Sequence, residues 1–342
     1  MGNKEAIEKI FNSMTRSKKI HEAVLLVENS KGDFSISCGF NGKTIQSQFF
    51  TASVSKLFVT ACILILQEQK LLSLDDNIGK YIDKKFLDRL HVYKNKEYSY
   101  NLKISDLLFQ TSGLSDWFVD GGAKKIFIQR DFEFSFETIL EKTKTLHPRF
   151  TPNTGKKAYY AEINFIFLVR IVEKLSGLTI DKAYKNFIFT PLGLEKTYLP
   201  RKSEEFIPNI YYKNELLYRS QFLTSNSNYI VVSTAADLMT FLKAFWNGNL
   251  FQSRIFEKLS AYKKLQVYYG PIYYGGGYMQ IPLKSIYTLF LGKGELIGHS
   301  GVTGSFAFYY PERDLFFVGD FNQMANPGLP IRLIMKLAMS VK

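Results

Sequence analysis

Cysteine is almost missing from this 342-residue chain, which has two, Cys38 and Cys62. A disulfide framework or a structural zinc site of the usual kind needs more, so the expectation is two free, buried thiols. Histidine is scarce too, and His21, His91 and His147 show no metal-ligand spacing. Neither a metal nor another cofactor is expected. The longest nearly unbroken apolar run, "LFVTACILIL" from Leu57 to Leu66, falls well short of the roughly 20 residues that span a bilayer. No transmembrane segment is expected. The start, "MGNKEAIEKIFNSMTRSKK", places Ile7, Ile10, Phe11 and Met14 at helical spacing among charges and lacks the apolar centre of a secretory signal. As written the chain reads as cytoplasmic, or as extracytoplasmic if a leader was removed. Repeats, low-complexity tracts and long linkers are missing as well, which argues for one integrated unit.

Positive charge, in contrast, is in excess: 44 Lys and Arg against 31 Asp and Glu give a formal +13. Such a balance can favour nucleic acid, anionic lipid or an anionic polymer. Here the lysines are spread along the chain rather than gathered in one arm, the pattern of a solvated surface. No nucleic-acid partner is expected, and the charge leaves room for attraction to an anionic cell-wall or membrane surface.

With 46% hydrophobic residues the chain can bury a sizeable core. Near the start, "EAVLLVEN" and "DFSISCGF" flank "SKG" as two strands of a hairpin, and "KTIQSQFF" is a third candidate strand. From residue 57 to about 247 the signals are mainly helical, as in "NFIFLVRIVEKLSG" and "TAADLMTFLKAFWNG", which end near glycine. Strand patterns return in "YYGGGYMQI", "IYTLFLGK", "ELIGHSG", "SFAFYYP" and "LFFVGDF", with "PERD" as a turn, before a closing helix, "GLPIRLIMKLAMSVK". The fold class is therefore α+β. An antiparallel sheet is built from both termini, residues 1–60 plus 230–342, with a mainly helical region, 61–229, inserted between them.

Within "TASVSKLFVT", Ser53 and Lys56 stand three apart at the start of an apolar helix. The spacing puts both on one face. Ser53 is then either a nucleophile, served by a lysine whose proton is loosened by burial, or the polar cap of that helix. The pattern alone does not decide, since "SAYK", Ser260 to Lys263, matches equally well in a charged setting.

Five phrases in order give the pattern a context: "FTASVSKLFVTACILILQEQKLLSLDDNIGKYI", "LKISDLLFQTSGLSDW", "PLGLEKTYL", "VVSTAADLMTFLKAFWNG" and "GHSGVTGSFAFYYPERDLFFV". Together they resemble the serine β-lactamase and penicillin-binding-protein superfamily, in its class C β-lactamase and DD-peptidase-like branch, from about residue 20 to the end. The resemblance implies a β-lactamase/transpeptidase-like fold, Ser53 as the acylated nucleophile and Lys56 as its proton acceptor or relay. The family's Tyr-x-Asn falls on Tyr160-Ala161-Glu162, with Tyr159 the choice if the register slips by one. Its Lys-Thr-Gly or His-x-Gly strand falls on His299-Ser300-Gly301. The backbone N–H groups of Ser53 and Val302 would then form the oxyanion hole. Gly301 is expected because a side chain there would obstruct the approach of a ligand to the backbone.

Glu162 departs from the pattern. An amide can donate to a substrate carbonyl and accept from a lysine, whereas a carboxylate only accepts. Beside Lys56 it favours the ammonium form and opposes ionisation of Tyr160. It should also repel a nearby substrate carboxylate and favour a substrate bearing an ammonium group. The expected function is a serine hydrolase forming an acyl-enzyme at Ser53 with a small-molecule or peptide substrate, be it peptide, amide, β-lactam or ester. The alternative is a catalytically weak or inactive relative that binds peptide or cell-wall fragments.

Overall fold

β-Branched and aromatic residues at both ends of the sequence form one eight-stranded sheet. The computed structural model describes residues 3–154, 157–202, 205–266 and 271–341; the outermost residues of the expected sheet region, 1, 2 and 342, lie outside these. The strands are β1 (Ala23–Asn29), β2 (Ser35–Phe40), β3 (Lys263–Gln266), β4 (Ile272–Tyr274), β5 (Met279–Pro282), β6 (Glu295–Ser300), β7 (Phe306–Tyr310) and β8 (Leu315–Asp320). Their order across the sheet is β2-β1-β8-β7-β6-β5-β4-β3, with every neighbouring pair antiparallel. The first and last parts of the chain meet at β1 and β8, where Val24 pairs with Asp320 and Asn29 with Leu315. The chain therefore closes its sheet one strand in from an edge, at the second and third strands.

Five long helices accompany it, α1 (Asn3–Thr15), α2 (Lys56–Glu68), α3 (Glu162–Ser176), α4 (Ala235–Asn247) and α5 (Leu329–Ser340), of which α3 packs on α2. Helices α1 and α5 pack on each other and on the sheet, while α4 lies against β1, β7 and β8. Every residue of β8 is buried, as expected for a strand covered on both faces. Thr234 caps α4 by accepting from the Asp237 N–H, and Gly248, at φ +84°, ends it in the left-handed region. Among the described residues no helix is long and apolar enough to cross a membrane.

Two expected strands are not strands over most of their length. In "KTIQSQFF" only Phe49–Phe50 pairs, with Val232–Ser233, because Thr44 and Ser47 bond to one another's backbone and side chains and close a turn. In "IYTLFLGK" a 3₁₀ turn, Ile286–Thr288, replaces the strand, and Leu289 and Phe290 follow with φ of +50° and +60°. Left-handed backbone at two successive residues breaks the pleat. One thiol also departs from expectation: Cys62 is buried, but Cys38 is only half-buried.

Helix α2 follows a 3₁₀ turn, Ala52–Ser55. Thr51 ties that turn to a distant segment, its N–H and Oγ1 both donating to the Val231 carbonyl at 3.0 and 2.7 Å. The Val231 N–H returns a bond to Ser55 Oγ at 2.9 Å. These bonds fix the approach to Ser53 against the chain that carries Tyr229.

Candidate active site

Ser53 lies inside the 3₁₀ turn, two residues ahead of Ser55, the N-cap of α2. No capping bond involves its side chain, so helix capping does not explain the serine. The residue before it, Ala52, has φ +46°, a left-handed backbone that a non-glycine residue adopts only when its surroundings impose it. Those surroundings include Gly301, immediately after β6. A Cβ built there would stand 2.1 Å from Ser305 Oγ, 2.8 Å from the Thr51 carbonyl and 2.9 Å from Ala52 Cβ. The protein's own packing therefore already requires a glycine here. Neither the Ser53 nor the Val302 N–H makes a hydrogen bond among the described residues.

Lys56, the first residue of α2, is fully buried. Its ammonium donates to Glu162 Oε1 at 2.7 Å, to Glu162 Oε2 at 2.8 Å and to the Tyr229 hydroxyl at 2.8 Å. That hydroxyl donates in turn to Glu162 Oε2 at 2.5 Å. All three ammonium N–H groups are thus occupied. Burial pushes the Lys56 pKa below its ordinary value, while the charge and hydrogen bonds of Glu162, and more remotely Asp116, pull it up.

Tyr160 stands just before α3, its hydroxyl buried and without a full hydrogen bond among the described residues. Burial lifts its pKa well above the usual phenol, Glu162 adds to the rise, and the nearby Ser53 hydroxyl works against it. The Lys56 nitrogen lies 4.8 Å from the centre of its ring. Tyr159, the alternative by register, is occupied elsewhere: its hydroxyl donates to Asp120 Oδ2 at 2.7 Å and accepts from Arg149 at 3.1 Å. His299 is also buried, its ring centre 6.0 Å from that of Tyr160. Because a carbonyl only accepts, Nδ1 carries the proton and donates to the Ser300 carbonyl at 2.9 Å, leaving Nε2 to accept from the Tyr274 hydroxyl at 3.2 Å. Burial, assisted by the Lys56 charge, lowers this imidazole to about 3, so it is neutral.

All seven residues singled out in the sequence thus come together, and three more join them. Tyr229 lies five residues before "TAADL", and nothing in the sequence marked it among so many tyrosines. Asp116 lies near the end of the phrase "LKISDLLFQTSGLSDW", two residues beyond Leu114. It is buried, accepts from the backbone N–H of Glu162 and of Val119, each at 3.0 Å, and is pushed up to about 7 by burial first and the Glu162 charge second. Tyr274, on β4, orients His299.

Ser53 opens on two spaces. A cleft is lined by Ser53, Asp116, Tyr160, Met279, Gly301 and Val302. A smaller pocket shares Ser53 and Val302 with it and adds Glu162, Tyr229 and a wall of aromatic rings. Among the described residues no group of His, Cys, Asp and Glu could hold a metal ion. Among the described residues the arrangement offers a hydroxyl, two N–H donors beside it and a phenol that make no hydrogen bond, and a buried ammonium.

A family model described as Beta-lactamase matches residues 41–336. Penicillin-binding protein 4* of Bacillus subtilis (strain 168) is 24% identical over 325 residues, covering 86% of this chain and 66% of that protein, so the chain spans just under two thirds of this relative's length. Among solved structures, a D-stereospecific amidohydrolase from Streptomyces sp. superposes with a TM-score of 0.77 at 21% identity, covering 94% of this chain and 95% of the other. EstCE1, described as a hydrolase with promiscuous acyltransferase activity, superposes with a TM-score of 0.78 at 18% identity over 99% and 98%. At these identities the two structures speak for the fold.

Proposed function

We propose that this chain, which belongs to the beta-lactamase family, is a serine hydrolase that forms an acyl-enzyme at Ser53 with an ester or amide. The observation that carries the reading is the pair of unbonded N–H groups, of Ser53 and Val302, beside a serine that caps nothing. Ser53 Oγ attacks the substrate carbonyl carbon, and the oxygen that becomes negative sits between the two N–H groups. The Tyr160 hydroxyl takes the serine proton as it passes its own to the leaving nitrogen or oxygen. The carbonyl carbon exchanges one bond for another, and no net charge is left over. Lys56, held as an ammonium by Glu162 and Tyr229, keeps a positive charge near the tyrosine while its oxygen is electron-rich. Water then cleaves the Ser53 ester by the reverse proton path, and another nucleophile in place of water gives transfer.

A second reading, a binding protein with little turnover, draws on the same ion pair, because a lysine whose donors are all occupied has no lone pair for Ser53. Labelling with a fluorophosphonate, together with hydrolysis of p-nitrophenyl esters, separates the two. An adduct that disappears in Ser53→Ala, with turnover that disappears alongside it, is the expected result. An unlabelled wild type that still binds ligands saturably favours the binding protein.

A further inference from the structure

The wall of the smaller pocket is built by Phe50, Trp117, Phe118, Phe127, Phe134 and Phe222. The rings brace one another, with Phe222 lying 4.6 Å from Phe134 and 4.7 Å from Phe127 between ring centres, and Trp117 lying 5.4 Å from Phe134. Rings held in this way keep an apolar cavity open instead of collapsing into it. Because Ser53 and Val302 line the pocket, a group inside it is contiguous with a carbonyl held at the serine. That makes it a site for the side chain of the acyl group.

Charge supplies the second half of the argument. No lysine or arginine lines either space among the described residues. Lys56 is fully buried with its N–H groups committed, His299 is neutral, and nearby Arg219 donates to the carbonyls of Phe127, Tyr218 and Ile128. Glu162 faces the pocket, and Asp116, pushed up to about 7 and so only part ionised at neutral pH, faces the cleft. Among the described residues Glu162 Oε1 accepts only from Lys56, and its side chain is 18% exposed, so it has room for another donor. A substrate carboxylate finds no free cation among the described lining residues; an ammonium finds an acceptor.

We infer that the substrate is an ester or amide of an aromatic α-amino acid with a free amine, its ring in the aromatic pocket and its ammonium on Glu162. The inference rests on the acyl-enzyme reading. In the reaction the acyl carbon bonds to Ser53 Oγ, the C–N or C–O bond to the leaving group breaks, and the leaving group departs with a proton.

The test is kcat/KM for p-nitrophenyl esters and p-nitroanilides carrying phenylalanyl, alanyl, N-acetylphenylalanyl, 3-phenylpropionyl and succinyl acyl groups, with both enantiomers of each chiral donor. For one enantiomer, phenylalanyl is expected to exceed alanyl about tenfold or more, the usual range for filling an apolar pocket. It should exceed the 3-phenylpropionyl and N-acetylated donors by a similar factor. In Glu162→Gln the preference for phenylalanyl over 3-phenylpropionyl should fall to about one, and in Ser227→Trp, at a half-buried pocket position, the preference for phenylalanyl over alanyl should fall. Both readouts are ratios, so a general loss of activity does not imitate them. A fluorophosphonate adduct on Ser53 with a flat series, or with succinyl fastest, overturns the substrate and leaves the acyl-enzyme standing. Absence of both adduct and turnover overturns the acyl-enzyme reading and the inference with it.

Discussion

Lys56 and Glu162 meet in a two-pronged ion pair, 2.7 and 2.8 Å from the one nitrogen to the two carboxylate oxygens, at the point where the family resemblance calls for an amide. The pair decides the charge on the lysine. If turnover needs the ammonium, it is lost as pH rises through the Lys56 pKa, which burial sets below the ordinary 10.5. Glu162 is the group that raises it. Glu162→Gln should therefore move the alkaline limb of kcat/KM for a p-nitrophenyl ester to lower pH, measured from about pH 6 to about 10. A limb that stays in place would mean that the ion pair does not set it.

The same carboxylate should keep carboxylate-bearing substrates away. Glu162→Asn removes the repulsion and restores an amide donor. Stopped-flow acylation by benzylpenicillin at neutral pH should be about tenfold faster or more in the variant, a conservative reading of Coulomb energies at this range. An unchanged or slower rate would show that the site has been rebuilt around Glu162.

Tyr229 is the third member of the cluster. Tyr229→Phe leaves one Lys56 N–H without its acceptor in a fully buried position. Loss of a hydrogen bond to a charged group should cost about 1.5–3 kcal/mol by urea unfolding. It should also lower the pH of the alkaline limb, since the hydroxyl oxygen stabilises the ammonium. A variant with wild-type stability and an unmoved limb would remove Tyr229 from the network.

The parts legible in the sequence are those written in short-range pattern or in ordered phrases. The hairpin of β1 and β2, the "PERD" turn and the glycine-ended helices follow from local chemistry, and Ser53, Tyr160 and His299 follow from phrases whose order the resemblance supplied. The illegible parts depend on contacts between segments far apart. Tyr229 reaches Lys56 only because Val231 is bonded to Thr51 and Ser55, a link across about 180 residues with no local signature. "IYTLFLGK" has the composition of a strand, but its loop is closed by Thr288 Oγ1 reaching the Ser285 backbone, which outweighs β-propensity. At Gly301 the structure adds a cause with no local signature: crowding by Ser305, Thr51 and Ala52.

That crowding is testable. In Gly301→Ala the new methyl would meet the Thr51 carbonyl at 2.8 Å and Ala52 Cβ at 2.9 Å, so the turn bearing Ser53 must move away from β6. A displacement of this kind parts Ser53 from the Val302 N–H and should slow fluorophosphonate labelling about 100-fold. The melting temperature should fall as well. Normal labelling in the variant would show that the two segments tolerate separation.

Asp320 gives a prediction independent of the cleft. It ends β8 fully inside the protein, one carboxylate oxygen lacks a hydrogen-bond partner among the described residues, and burial pushes its pKa from 3.8 to about 7. An acid with a raised folded-state pKa binds a proton in the native state that the unfolded chain releases. Stability is therefore lost as pH rises from the unfolded value towards the folded one, and the loss levels off above that. Asp320→Asn removes this titration. Its unfolding free energy relative to wild type should rise between about pH 4 and about pH 7, by at most about 1.4 kcal/mol for every pH unit that separates the folded and unfolded pKa values. Asp116, at about 7, and Asp106, at about 6, act in the same direction, so the variant should flatten the pH dependence without abolishing it. Urea midpoints at the two pH values measure the difference, and a constant offset between variant and wild type would show that Asp320 is ionised in the native protein throughout.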